Sequence, residues 1–318
     1  MRPIWRATLA GPAVAMLATL TSVSVAAHGT AGPEPTALGV VTIWLPDPLP
    51  WMTAIVAAAG YLLAVRRVNA AHPRTPVPAW RIIAWLAGVA IGLVALVSAI
   101  DVYADDLLTV HMVQHLLLTM ISPPLLALGA PVTLILRLAS PGLRRKVLVP
   151  LLHSALMRVT SYPAVGWLTL AAVMWLTHFS PLYDAALADP TLHVAEHLLL
   201  VASAILFWWP AVAADPAPHR LGYLGRLVYL VLTMPVAAAV GLAIYFAPTV
   251  LYPHYATLER TWGPNPLVDQ ELGGLLMWGV GDLVMLGAIA LLVSQWMRAD
   301  VRRSRMLDAR RASAMTRV

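Results

Sequence analysis

His111-Met-Val-Gln-His115 lies inside a long apolar run from Leu107 to Leu138. The two histidines are four residues apart, so a helix puts both on one face. His193-Val-Ala-Glu-His197 opens a second apolar run and repeats that spacing. Apolar runs of this length are read as membrane spans. Ionisable groups inside a span are costly and face a cavity, a partner or a bound ion. The four imidazoles are therefore taken as the functional core of an all-α membrane protein, and the remaining chain is placed around them.

Composition agrees with that assignment. Of 318 residues, 60% are hydrophobic and only 11% charged, too apolar for an ordinary soluble domain. The formal charge of +6 does not point to nucleic acid, because the Lys and Arg residues fall in short segments between apolar runs and at the C-terminus, as topology signals do. Cysteine is absent, which removes disulfides, thiolate metal sites and thiol nucleophiles together. Any metal must use His, Met or carboxylate ligands.

In chain order, Arg2 and Arg6 precede an apolar stretch ending in Val25-Ala26-Ala27, so residues 1–27 are expected to be a cleavable signal peptide. Cleavage after Ala27 leaves His28 with an amine and an imidazole for one metal. Residues 28–50, rich in Pro and Gly, read as an extracytoplasmic arm. Residues 51–298 carry the expected bundle of seven transmembrane helices, with the N-terminus outside and the C-terminus inside. The spans run from about Trp51 to Val65, Ile82 to Ile100, Leu107 to Arg137, Pro163 to Tyr183, His193 to Trp209, Leu227 to Phe246 and Gln270 to Arg298. Pro123-Pro124 is expected to kink or break the third. Residues 299–318 form a basic cytoplasmic tail. Loops bearing Arg66, Arg67, Arg74 and Arg81, then Arg144, Arg145, Lys146 and Arg158, then Arg220 and Arg226 all fall on the inner side. The expected location is the bacterial cell membrane, multi-pass, with lipid as the surrounding partner.

This topology brings most of the histidines to the outer half. At a rise of about 1.5 Å per residue, His111 and His193 lie one turn below the outer surface and His115 and His197 one turn deeper. His178 approaches the same layer from the fourth span, and Met277 enters on the seventh. Imidazole with thioether suits copper; imidazole with carboxylate suits zinc or iron. Glu196 and Asp269 are placed as partners orienting ring nitrogens. His254, in the loop after the sixth span, and His28 are further candidate ligands. One membrane histidine alone is usually a helix-to-helix hydrogen bond, so the weight rests on the pairs. Asp282, midway down the seventh span, is read as a hydrogen-bonding group.

The order of these motifs resembles a known family. His111-Met-Val-Gln-His115 with Pro123-Pro124-Leu125-Leu126-Ala127-Leu128-Gly129-Ala130-Pro131, His193-Val-Ala-Glu-His197, and Asp269-Gln270 with Gly273, Gly274, Met277 and Trp278 are similar to the marked segments of the CtaG family of caa3-type cytochrome c oxidase assembly factors. The resemblance implies a non-enzymatic role in maturing the oxidase, with copper passed from an extracytoplasmic donor to an oxidase subunit.

Other functions compete on the residues alone. A b-type haem protein ligates haem through one histidine from each pair. A copper transporter needs polar groups continuing inward, and below His115 and His197 only Asp282 stands out. A zinc hydrolase needs a further acidic ligand beyond the His-x-x-Glu-His order of the second pair.

Overall fold

The structure, a computed structural model, describes residues 32–315. The expected leader and His28 lie outside the described residues. Those described fold as helices: α1 Ala37–Thr42, α2 Pro48–Ala71, α3 Ala79–Val97, α4 Ala99–Ala104, α5 Leu108–Leu116, α6 Ser122–Leu128 and α7 Pro131–Leu138. A run of short helical turns spans residues 141–160. Then come α8 Pro163–His178, α9 Leu182–Ala188, α10 Pro190–Val212, α11 Tyr223–Tyr245, α12 Pro253–Thr257 and α13 Pro266–Met315.

Among the described residues, six segments are long and apolar enough to cross a membrane: α2, α3, the composite Leu108–Leu138, α10, α11 and the Pro266–Arg310 part of α13. A seventh is counted if α8 and α9, which meet at 68°, form one broken span. The fourth span thus stops at His178 instead of running straight to Tyr183. Phe179 leaves helical geometry, and the chain turns through Ser180-Pro181 before α9 begins. At the other extreme, α13 does not end near Arg298. No Gly or Pro interrupts 299–315, so the basic tail continues as helix.

Many helices open on proline. Pro48, Pro131, Pro163, Pro190 and Pro266 all sit in first turns, where a missing N–H leaves no bond unmade. The interior prolines act differently. Beyond α5 the chain makes a π turn over Leu117–Ile121 and resumes as α6 with Pro123 and Pro124 in its first turn. The Thr119 carbonyl consequently faces proline both four and five residues ahead, and neither can donate. The indole Nε1–H of Trp208, on α10, donates to it instead at 2.8 Å. That one bond ties the kink in the third span to α10. Ala130, with φ +50°, then turns the chain into α7.

Two close approaches fix the bundle. A Cβ on Gly241 of α11 would come within 2.7 Å of the Gly274 carbonyl of α13, and one on Gly274 within 2.6 Å of the Tyr245 nitrogen. The helices can cross there only as backbone against backbone. Similarly, a Cβ on Gly166 of α8 would lie 2.4 Å from the Leu206 carbonyl of α10. That carbonyl is four residues before Pro210, so no N–H competes for the space.

Candidate metal centre

The helix carrying the first histidine pair begins without a capping side chain of its own, because its N-cap residue is Leu107. The free amides are served from α13: Asp269 accepts from Leu108 N at 2.7 Å and Thr109 N at 3.2 Å, and from Thr109 Oγ1 at 2.7 Å. This arrangement places a carboxylate at the positive end of the helix. The second pair rides on α10, capped by its preceding residue Asp189, which accepts from Thr191 N and Leu192 N. His178 is the last residue of α8. All five histidines lie at the same end of the bundle, within the first or last two turns or so of their helices.

They meet there. The Nε2 atoms of His111 and His115 are 2.9 Å apart. The ring of His111 stacks on that of His193 at 5.5 Å between centroids, and His193 lies 4.4 Å from His197. His115 is 6.0 Å from His197 and 5.4 Å from His178. His111 and His115 are 0% and 1% exposed, so these rings see one another and not solvent.

Hydrogen bonding selects tautomers. The Tyr255 hydroxyl donates to the Ala104 carbonyl at 2.9 Å and so has no second proton to give. His111 Nδ1, 3.1 Å from that hydroxyl oxygen, must then be the donor, which leaves Nε2 as an acceptor facing His115 Nε2. His178 Nδ1 faces the Met174 carbonyl at 2.8 Å and likewise donates, freeing its Nε2. A hydroxyl acceptor behind the ring thus turns the His111 Nε2 lone pair toward His115, while His178 Nε2 stands outside both donor sets.

Several polar atoms in the cluster are buried with no hydrogen-bond partner among the described residues. They are His115 Nδ1, the Nε2 atoms of His178, His193 and His197, and both carboxylate oxygens of Glu196. A carboxylate that is 3% exposed and unpaired carries a large desolvation cost unless a cation or proton joins it. Two sets of donor atoms lie within 4.8 Å of one another: His111 with His193 and His197, and His111 with His115 and Glu196. With metal–imidazole bonds of about 2.0–2.1 Å, the 2.9 Å between His111 and His115 subtends roughly a right angle at an ion. The arrangement fits a metal.

The other sequence candidates separate. Glu196 stands in a donor set itself and not behind an imidazole. Asp269 is committed to the start of α5, so its influence on His111 passes through the helix. Met277 packs in an apolar cluster with Leu108, Met112, Tyr183 and Tyr255, beside the imidazoles. His254 sits outside them, its Nε2 at 3.1 Å from the Asp105 carbonyl. Asp282 is half-buried further along α13, outside both donor sets. Sequence reading passed over Tyr183, whose ring is 5.2 Å from that of His111, and Tyr255. It also passed over Gln114, which donates to the Ala95 carbonyl and to Asp101 on the opposite face of α5. Tyr255 had one available signal, its position next to His254 in a polar loop.

Comparison with known proteins agrees with the motifs. Uncharacterized proteins of Mycobacterium bovis and Mycobacterium tuberculosis are each 34% identical to this chain over 277 residues, covering 84% of it and 41% of themselves. One of Mycobacterium leprae is 33% identical over 271 residues, covering 82% of this chain and 40% of itself. The chain therefore spans about two fifths of the length of the relatives it matches. No solved structure matches it. Residues 59–299, which contain both histidine pairs, His178 and Asp269, match the description of a cytochrome c oxidase caa3 assembly factor, and the chain belongs to that Caa3_CtaG family.

Proposed function

We propose that the chain binds copper between α5 and α10 and presents it to a cytochrome c oxidase subunit during assembly. The observation that carries this reading is the convergence of imidazole nitrogens and one unpaired carboxylate, from His111, His115, His193, His197 and Glu196, in two overlapping donor sets. A metal cation satisfies several such acceptors at once. Divalent affinity for nitrogen and oxygen donors rises to copper across the first row, and the absence of cysteine leaves imidazole as the principal ligand. The family supplies the oxidase as the recipient.

The same reading places the site on the extracytoplasmic side. Arg66, Arg67, Arg144, Arg145, Lys146 and Arg226 all lie toward the opposite ends of the spans from the histidines. Copper is cargo here. The residues hold it at the end of the bundle nearest the donor and the recipient, and the apolar middle of each span gives it no route across. His111 is held by Tyr255 and by the Asp269-capped helix, whereas His193 is more exposed and stands at the rim. That asymmetry gives the ion a fixed partner and a looser one, which suits release.

The test is metal content of detergent-purified protein, wild type beside His111→Ala/His115→Ala, with a visible spectrum of each. Copper retained by the wild type and lost from the variant supports the proposal. Equal copper in both removes the pair from the mechanism, and a Soret band replaces copper by haem.

A further inference from the structure

A pocket of about 280 Å3 opens at the bend between α8 and α9. His178, Ser180, Tyr183, Asp184, Leu251 and Tyr252 line it. Its roof is tied to its wall, because the Tyr252 hydroxyl donates to the His178 carbonyl at 3.2 Å. His178 is 2% exposed, and its Nε2 is buried without a partner. His178 lines this pocket, and its ring lies 5.4 Å from the ring of His115. Yet His178 is in neither set of mutually close donor atoms. Asp184 also lines the pocket, and its Oδ1 is buried without a hydrogen-bond partner.

We propose that this pocket is the port through which a metal ion reaches the cluster, with Asp184 attracting the cation and His178 handing it inward to His115. The inference rests on the metal-binding reading above. It assigns His178 a transit role, distinct from the resident ligands on α5 and α10. The bend makes the port: the chain leaves α8 at His178 and turns through Phe179-Ser180-Pro181, and these residues together line the opening.

The experiment follows loading. Full-length protein in detergent is stripped with a chelator and given cupric ion, and retained copper is measured after rapid desalting at set times. Wild type is compared with His178→Ala, which removes the transit ligand, and Ser180→Trp, which fills the pocket without touching α5 or α10. Helical content by circular dichroism confirms that each variant is folded. Both variants are expected to reach the wild-type final copper content at least tenfold more slowly. Unchanged rates in both overturn the port and leave the binding site standing. A lower final content for His178→Ala at an unchanged rate also overturns it, since His178 is then a resident ligand. A wild type that retains no copper removes the binding reading itself, an outcome distinct from either.

Discussion

Trp208→Phe is the sharpest structural perturbation, because the group it removes has one job that nothing nearby can take over. The Thr119 carbonyl lacks backbone donors at both residues 123 and 124, and the indole supplies its bond at 2.8 Å. Side-chain hydrogen bonds between membrane helices average about 0.6 kcal/mol and reach about 1.7. Leaving a buried acceptor unmade costs about 1–3 kcal/mol. With two prolines denying any substitute, the upper part of the membrane range applies, and the bond is expected to contribute about 1–2 kcal/mol. Trp208→Phe also loses packing, since Trp208 is 2% exposed, so the single variant overstates the bond. A double-mutant cycle separates the two terms. In a Pro123→Ala/Pro124→Ala background the backbone again offers N–H groups to Thr119, and the hydrogen-bond part of the loss should vanish. Equilibrium unfolding in mixed micelles, followed by circular dichroism, reads the difference. Equal losses in the two backgrounds would refute the claim that Trp208 compensates for the prolines.

Further outcomes follow from the same contacts. Tyr255→Phe removes the acceptor of His111 Nδ1–H and should weaken copper binding about 10–100-fold, measured by competition with a chelator of known affinity; an unchanged affinity contradicts the tautomer assigned to His111. Burial raises the Asp101 carboxyl to about 7, opposed by the hydrogen bond from Gln114. An acid raised in the folded state contributes stability that is fully present below its ordinary value near 4 and is lost as pH rises through about 7. The melting temperature in detergent should therefore fall across that window, and Asp101→Asn should flatten the fall. Gly241→Ala should destabilise the bundle by at least about 1–3 kcal/mol, because its Cβ has no room against the Gly274 carbonyl; wild-type thermal stability in this variant would contradict the backbone crossing of α11 and α13.

The histidine pairs were legible because spacing in sequence becomes a shared face as soon as the segment is helical, and both segments are long and apolar. One helix start, Pro163, was legible at its proline, whereas α2, α10 and α13 begin at Pro48, Pro190 and Pro266, ahead of the expected Trp51, His193 and Gln270, because a proline outside the apolar run still belongs to the first turn of the helix. What sequence could not show was which side chains answer a local defect from afar. Pro123-Pro124 announces a disturbance in the third span, but the π turn before it and the indole that completes it depend on α10 lying alongside. Asp269 reads as a partner for an imidazole, whereas its carboxylate is spent on the amides that begin α5, a need created by Leu107 at the N-cap. Glu196 reads as a supporting group until packing turns it into the donor layer. The bend after His178 arises from three residues, Phe179 to Pro181, whose geometry no periodicity reveals. Tyr183 and Tyr255 reach the imidazoles only through that bend and through the loop that follows α11.

The central claim is that imidazoles from two helices share one copper ion. X-ray absorption at the copper edge of the loaded protein tests it most directly. The account predicts a nearest shell of nitrogen and oxygen with imidazole scattering from at least three rings, reduced in His193→Ala/His197→Ala. A shell without imidazole scattering, or one left unchanged by that double substitution, would contradict it.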